Sequence, residues 1–283
     1  KSLEIEPAQP NAHTYLAVIS LQSGDGVGYV SQFLKSINVD PRDHELPGVL
    51  AVFLYRLGLV DIADDFRTRV LALSPTSEVA YQIEMLRAIA LQDDVAGIAS
   101  ARRAIEDDIE ERRFSYGGAV QYLLRKAIRD GNIEEVSAWI EQQAPGIFDV
   151  NVDRVQQKHR VSQIVAFDAW YASLPRAEVL GRLDTILNRA QSVGVDPKQD
   201  PGTHLGILAI RGETEKAIDI ALNEVFSESV ATNLGWQETF AQPQYREIVA
   251  DARIQQAMQR WEEEEQAIRG TVQAFFADLQ AAN

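Results

Sequence analysis

Few side chains in this chain are spaced for chemistry. The histidines are His13, His44, His159 and His204. None has a second histidine at the spacing that sets two metal ligands on one helix face, and no HExxH occurs. Each reads as a structural or surface histidine. There are no cysteines, so disulfides, zinc–thiolate sites and thiol catalysis are excluded. Gly24-Asp25-Gly26-Val27-Gly28 has the look of a phosphate-cradling loop, but it follows a helical stretch and no Lys-Ser/Thr comes after it. Asp40-Pro41-Arg42-Asp43 and Asp149–Asp153 are acidic without the ligand spacing of a calcium loop. Glu106 with Glu110 reads as ordinary surface charge, and no Ser/His/Asp set follows from spacing. The expectation is a segment without catalysis, metal or cofactor.

The basic residues are more informative. From Arg112 to Arg129 there are five basic side chains and no acid, in a chain of net charge −15, and Arg154–Arg160 adds three more. Arg125 and Arg129 are four apart and share a helix face. Guanidinium groups capture carboxylates in bidentate fashion, and Trp and Tyr are favoured interface anchors. This set points to capture of an acidic or C-terminal peptide segment. The alternative is that these arginines pair with the acidic Glu106–Glu111 stretch and with Glu134-Glu135. The overall charge argues against nucleic acid, whose affinity comes from cations on phosphates, and against anionic membrane. The apolar runs fall well short of the roughly 18 residues a membrane helix needs.

The elements that must position these residues are helical. Pro7, Pro41 and Pro75 fall at intervals of 34 residues. Leu3, Ile37 and Leu71 keep the step, as do Ile5, Val39 and Leu73; Leu16-Ala17 returns as Leu50-Ala51 and Gly24 as Gly58. A 34-residue period is that of a helix–turn–helix repeat. Apolar spacing predicts helix pairs Asn11–Gln22 with Val27–Val39, Leu46–Leu57 with Asp61–Leu73, and Ser77–Leu91 with Asp94–Asp108. Further pairs are Ser115–Arg129 with Ile133–Gln143, Arg154–Ser173 with Arg176–Val193, and Thr203–Arg211 with Thr214–Phe226. No stretch reads as strand. Gly24, Gly58, Gly131 and Gly212 sit where a positive φ closes a first helix. Asp25, Asp61, Asp94, Asn132 and Thr214 are placed to cap the second. Pro41, Pro75, Pro145 and Pro197 end second helices.

This pattern resembles the tetratricopeptide repeat family over about residues 1–226, most closely over 1–75. Ala17 and Ala51 fill the small position of the first helix and Ala63 that of the second. Ala88, Ala101, Ala104 and Ala217 hold small positions further on, while Tyr29 stands where Ala63 does. The resemblance implies a right-handed α–α superhelix of about six helix pairs, continuous through an irregular 144–152, the best place for a break. It also implies that first helices line a concave face. The positions that line it are then Tyr55 and Arg56, Gln82, Gln121, Arg125 and Arg129, and in the fifth pair Arg160, Gln163, Phe167, Trp170 and Tyr171. Thr14 and Val18 replace the lysine–asparagine pattern of the chaperone-tail-binding members, which disfavours that partner class. Lys1–Pro7 reads as the last turn of an earlier repeat, so a longer protein is expected.

Beyond residue 226 the grammar changes. Gln242-Pro243-Gln244-Tyr245 predicts a turn into a short helix. Ile254, Met258, Trp261, Glu265, Ile268, Val272, Phe275 and Leu279 then step by 4 and 3 alternately, a heptad seam holding one glutamate. Residues 227–283 are expected to form a cap whose helix lies on the last repeat; the other reading is a homodimer through 254–279. The tail resembles the endings of bacterial regulators, which implies a non-catalytic, partner-docking scaffold within a signalling protein. An assembly subunit of an envelope or enzyme complex, or a small-molecule sensor with an apolar pocket around Phe167, Trp170 and Tyr171, are the alternatives. The compartment, cytoplasmic or periplasmic, is left open.

Overall fold

The computed structural model describes residues 10–107, 114–145, 148, 167, 170–192, 194 and 196–282. Among these the chain is all-α. In order the helices are α1 (Pro10–Gln22), α2 (Gly26–Val39), α3 (Glu45–Arg56), α4 (Val60–Leu73), α5 (Glu78–Ala90), α6 (Asp94–Asp107), α7 (Phe114–Asp130) and α8 (Ile133–Gln143). There follow α9 (Arg176–Ser192), α10 (Pro201–Arg211), α11 (Thr214–Ile220), the short α12 (Trp236–Phe240) and α13 (Arg246–Val249), and α14 (Ala252–Ala281). None of the described helices is long and apolar enough to cross a membrane.

Four of the predicted helical hairpins are observed, while most of the predicted helix Arg154–Ser173 lies outside the described residues. α1 packs on α2, α3 on α4, α7 on α8 and α10 on α11. Gly24 and Gly58 close the first two turns at φ +77° and +69°, and Gly131 and Gly212 repeat that conformation. A left-handed residue lets the chain reverse while its N–H still reaches the last helical carbonyls. In the third pair Gln92 takes the role at φ +56°. The caps follow the expectation less closely. Asp25 accepts from the Gly28 N–H at 2.7 Å. Asp61, Asp94 and Thr214 instead lie inside their helices, and Asn132 caps α8 without a side-chain bond. The carboxylates of Asp61 and Asp94 still lie in the first turn, at the positive end of the helix dipole.

The chain divides into two compact units, each drawn from separate stretches. The first comprises Lys1–Asp94, Phe226–Trp236 and Gln256–Asn283. In it α3 packs on both α4 and α5. Ala17, Ala51 and Ala63 are fully buried, because helix axes approach closely only over small side chains. Tyr29, in place of an alanine, fills its site by setting its ring 4.8 Å from Phe33 and 4.6 Å from Phe53.

The terminal helix belongs largely to this first unit, which corrects the expectation that it lies on the last repeat. Ile268 and Val272 cover Gly26 at the start of α2. Arg269 donates to the Gly58 carbonyl at 3.4 Å, and Phe276 meets Phe66 of α4 edge-on at 6.2 Å. Trp261 stacks against Phe226 and Trp236 and donates its indole N–H to the Glu228 carbonyl. The glutamate in the seam is explained here: Glu265 accepts the indole N–H of Trp236 at 3.2 Å. Ile254, Trp261, Ile268 and Val272 are buried within the chain, so half of the eight seam positions offer no face to a second copy.

The second unit comprises Val95–Val225 and Gln237–Gln255. The step between units thus falls within the third helix pair; most of the irregular 144–152 lies outside the described residues. α6 meets α7 through Gly97, where any Cβ would strike Tyr122, and Arg102 stacks on Trp139 of α8 at 4.9 Å. Phe167, Trp170, Val179, Leu183, Ile186, Ile207 and Ile210 form one core cluster. The turn Pro243–Tyr245 and α13 pack on α10 and α11. Tyr245 reaches into the space left by Gly206.

Candidate functional site

The residues expected on a concave face are scattered among several environments. In the first unit Tyr55 is only 3 % exposed. Its hydroxyl donates to Asp64 Oδ1 at 2.5 Å, and Arg87 clasps the same carboxylate through Nε at 2.8 Å and Nη2 at 3.2 Å. Beside it Arg67 holds Glu84 in a second bidentate pair. Burial pushes the Tyr55 hydroxyl well above its ordinary value, and the Asp64 bond adds to this. Burial also raises Asp64, but its bonds from Arg87 and Tyr55 outweigh that and hold the carboxyl below 3.8. Tyr55 is therefore a strut tying α3, α4 and α5 together, not a partner contact: buried hydroxyls must be bonded, and this one has its partner inside. Arg56 is exposed and Gln82 half-buried.

In the second unit Gln121 and Arg125 of α7 are half-buried and Arg129 is exposed. Arg125 bonds Glu238 at 3.0 Å and Arg129 bonds Asp130 at 3.0 Å, carboxylates outside the two acidic stretches considered in the sequence. Arg160 and Gln163 lie outside the described residues. Phe167 and Trp170 are each 5 % exposed and pack edge-to-face at 5.3 Å, with Arg182 stacked 4.9 Å from the Trp170 ring. Both are core residues; the apolar packing of α9 and α10 consumes them, and they line no groove. Tyr171, next in sequence, is half-buried and opens onto a cavity.

That cavity has a volume of about 380 Å³. Tyr171, Arg176, Arg211, Thr214, Gln244 and Arg246 are among its lining residues. A second cavity of about 240 Å³, sharing Tyr171 and Arg176, is otherwise apolar, with Leu174, Val179 and Ile210. Each arginine has a local reason for its place. Arg176 opens α9 and lies over Gly212, its Nη2 just 2.7 Å from where a Cβ would stand. Arg211 ends α10 and bonds Asp184 at 2.7 Å. Arg246 follows the Pro243–Tyr245 turn, which is held by buried Tyr245 and by Gln244 donating to Gln242 at 2.6 Å. The one lining carboxylate, Glu247, accepts from Thr214 at 3.0 Å. The side chains of Arg176 and Arg246 have no hydrogen-bond or ion-pair partner among the described residues.

Sequence reasoning reached Tyr171 and missed the three arginines. A signal was present: Arg176, Arg211 and Arg246 stand 35 residues apart in turn, close to the repeat period. Read singly, each was an ordinary surface cation. Among the described residues no three His, Asp or Glu side chains gather to hold a metal ion, and His13 is occupied at 2.7 Å with Gln32. No known protein-family model matches the chain, and no curated protein sequence matches it.

Proposed function

We propose that the chain is a non-catalytic interaction scaffold, the tetratricopeptide-like part of a larger bacterial signalling or regulatory protein, which docks an acidic segment of a protein partner. The observation that carries this reading is the recurrence of one helical hairpin with one turn geometry, at Gly24, Gly58, Gly131 and Gly212. Stacked hairpins of this kind build extended surfaces, the usual substrate of partner recognition in repeat proteins. The docking face is α7 of the second unit, with Gln121, Arg125 and Arg129. The Arg125–Glu238 pair does not oppose this role. Its side chains are 24 % and 44 % exposed, and such pairs contribute about 0–1 kcal/mol. A partner carboxylate can therefore replace Glu238 at little cost.

The test is fluorescence anisotropy with labelled acidic peptides, comparing the native chain with the Arg125→Glu/Arg129→Glu variant. Reversing both charges is expected to weaken binding by about tenfold, since two attractions of about 0–1 kcal/mol each are replaced by repulsions of similar size. Equal affinity for both proteins removes α7 as the docking face.

A further inference from the structure

We propose that the cavity bounded by Tyr171, Arg176, Arg211, Gln244 and Arg246 binds a small organic anion: a carboxylate or phosphate headgroup carried on a compact apolar body. Three guanidinium groups line the space against one carboxylate, Glu247, which is already engaged by Thr214. This convergence occurs in a chain with 42 acidic and 27 basic residues, where partners for arginine are plentiful. Yet Arg176 and Arg246 are left without one among the described residues. Arg176 and Arg246 are exposed and leave their donors to water, and an oxyanion matches the fork of donors that guanidinium presents. Gln244, 7 % exposed, adds a fixed polar wall, because its amide is anchored on Gln242.

The apolar half follows from the adjoining cavity. Leu174, Val179 and Ile210 have no use for charge, and Tyr171 and Arg176 stand on the border of both spaces. A headgroup among the arginines places its substituent beside the Tyr171 ring and into the smaller cavity. A few charged groups beside an apolar wall is the usual constitution of a small-ligand site. The shared chemistry has two sources, a free organic acid or phosphate and the C-terminal carboxylate of a peptide with an apolar last side chain. The inference stands apart from the α7 docking face, which uses none of these residues.

The experiment is isothermal titration calorimetry with benzyl phosphate, phenylacetate, a phenylalanine-terminated tripeptide, inorganic phosphate and benzyl alcohol. Native protein is compared with Arg176→Gln/Arg246→Gln and with Arg103→Gln, a charge-loss control on α6. Circular dichroism confirms the fold of each. At least one anionic aromatic probe is expected to bind at about millimolar or better. The double variant should lose about tenfold or more, while Arg103→Gln loses nothing. Tighter binding by the tripeptide assigns the source to a peptide terminus, and tighter binding by the free acids or phosphate assigns it to a small molecule. The proposal is overturned if no anionic probe binds, if the double variant binds as well as native protein, or if benzyl alcohol binds equally well. Inorganic phosphate binding as tightly as benzyl phosphate overturns the apolar half.

Discussion

Replacing Gly26 by alanine tests where the terminal helix lies, because the sign of the effect depends on it. Gly26 is the first residue of α2, is buried, and does not have a positive φ. With nothing packed over it, the change should stabilise by about 0.4–1 kcal/mol, since alanine restricts the unfolded chain more than glycine does. The structure puts α14 there. A Cβ would stand 2.6 Å from Ile268 Cγ2 and 3.1 Å from Val272 Cγ2. Both are methyls on β-branched side chains with little freedom to swing aside. Overpacking of this kind costs about 1–3 kcal/mol, so the net expectation is a loss of about 1 kcal/mol. With urea slopes of roughly 1–3 kcal/mol per molar, the midpoint should fall by about 0.3–1 M. Ile268→Ala should cost about 2–4 kcal/mol alone, yet Gly26→Ala made in that background should be neutral or stabilising. Equilibrium urea titrations of the four proteins, followed by circular dichroism, close the cycle. A midpoint that rises on Gly26→Ala in the otherwise native chain would refute the placement of α14 on the first two hairpins.

Further outcomes follow from the same unit. Asp64→Asn should cost about 1–2 kcal/mol, because it leaves Arg87 and the Tyr55 hydroxyl with a weaker acceptor, and Tyr55→Phe should cost less. Both Asp64 and Asp251 have carboxyls held below 3.8 in the folded chain, Asp251 to about 2 by bonds from Arg253. Groups so depressed stabilise above their unfolded value, and that contribution is lost as pH falls from about 4 to 2; Asp64→Asn should flatten the acid limb of a urea-midpoint profile. Glu265→Leu completes an apolar heptad seam but removes the acceptor of the Trp236 indole. It should lower stability and leave the oligomeric state unchanged by light scattering, whereas a shift to dimer would show that the seam is available to a second copy.

The helices were legible because their determinants are local. Each prediction from apolar spacing, such as Leu46–Leu57 against the observed Glu45–Arg56, rested on periodicity within a dozen residues. The turn glycines were equally readable, since only local backbone sterics decide who tolerates positive φ. Capping was less so: Asp61 and Thr214 look like caps in sequence, but the helices begin one or two residues earlier. The groove residues fared unevenly for another reason. Tyr55, Trp170 and Tyr171 carry the same promise in sequence, yet the first bonds Asp64 from inside, the second is core and the third lines a cavity.

By itself, then, the sequence determined that this chain is a succession of α-hairpins with a heptad-patterned terminal helix. That follows from propensity, period and turn chemistry, all short-range. Only the tertiary structure decided what the faces meet. The seam of α14 specifies an apolar partner but not which one, and Gly26 supplies the gap that Ile268 and Val272 fill. Arg176, Arg211 and Arg246 converge because three separate elements close on one space. Burial and charge proximity are sums over groups distant in the chain, and no local pattern contains them.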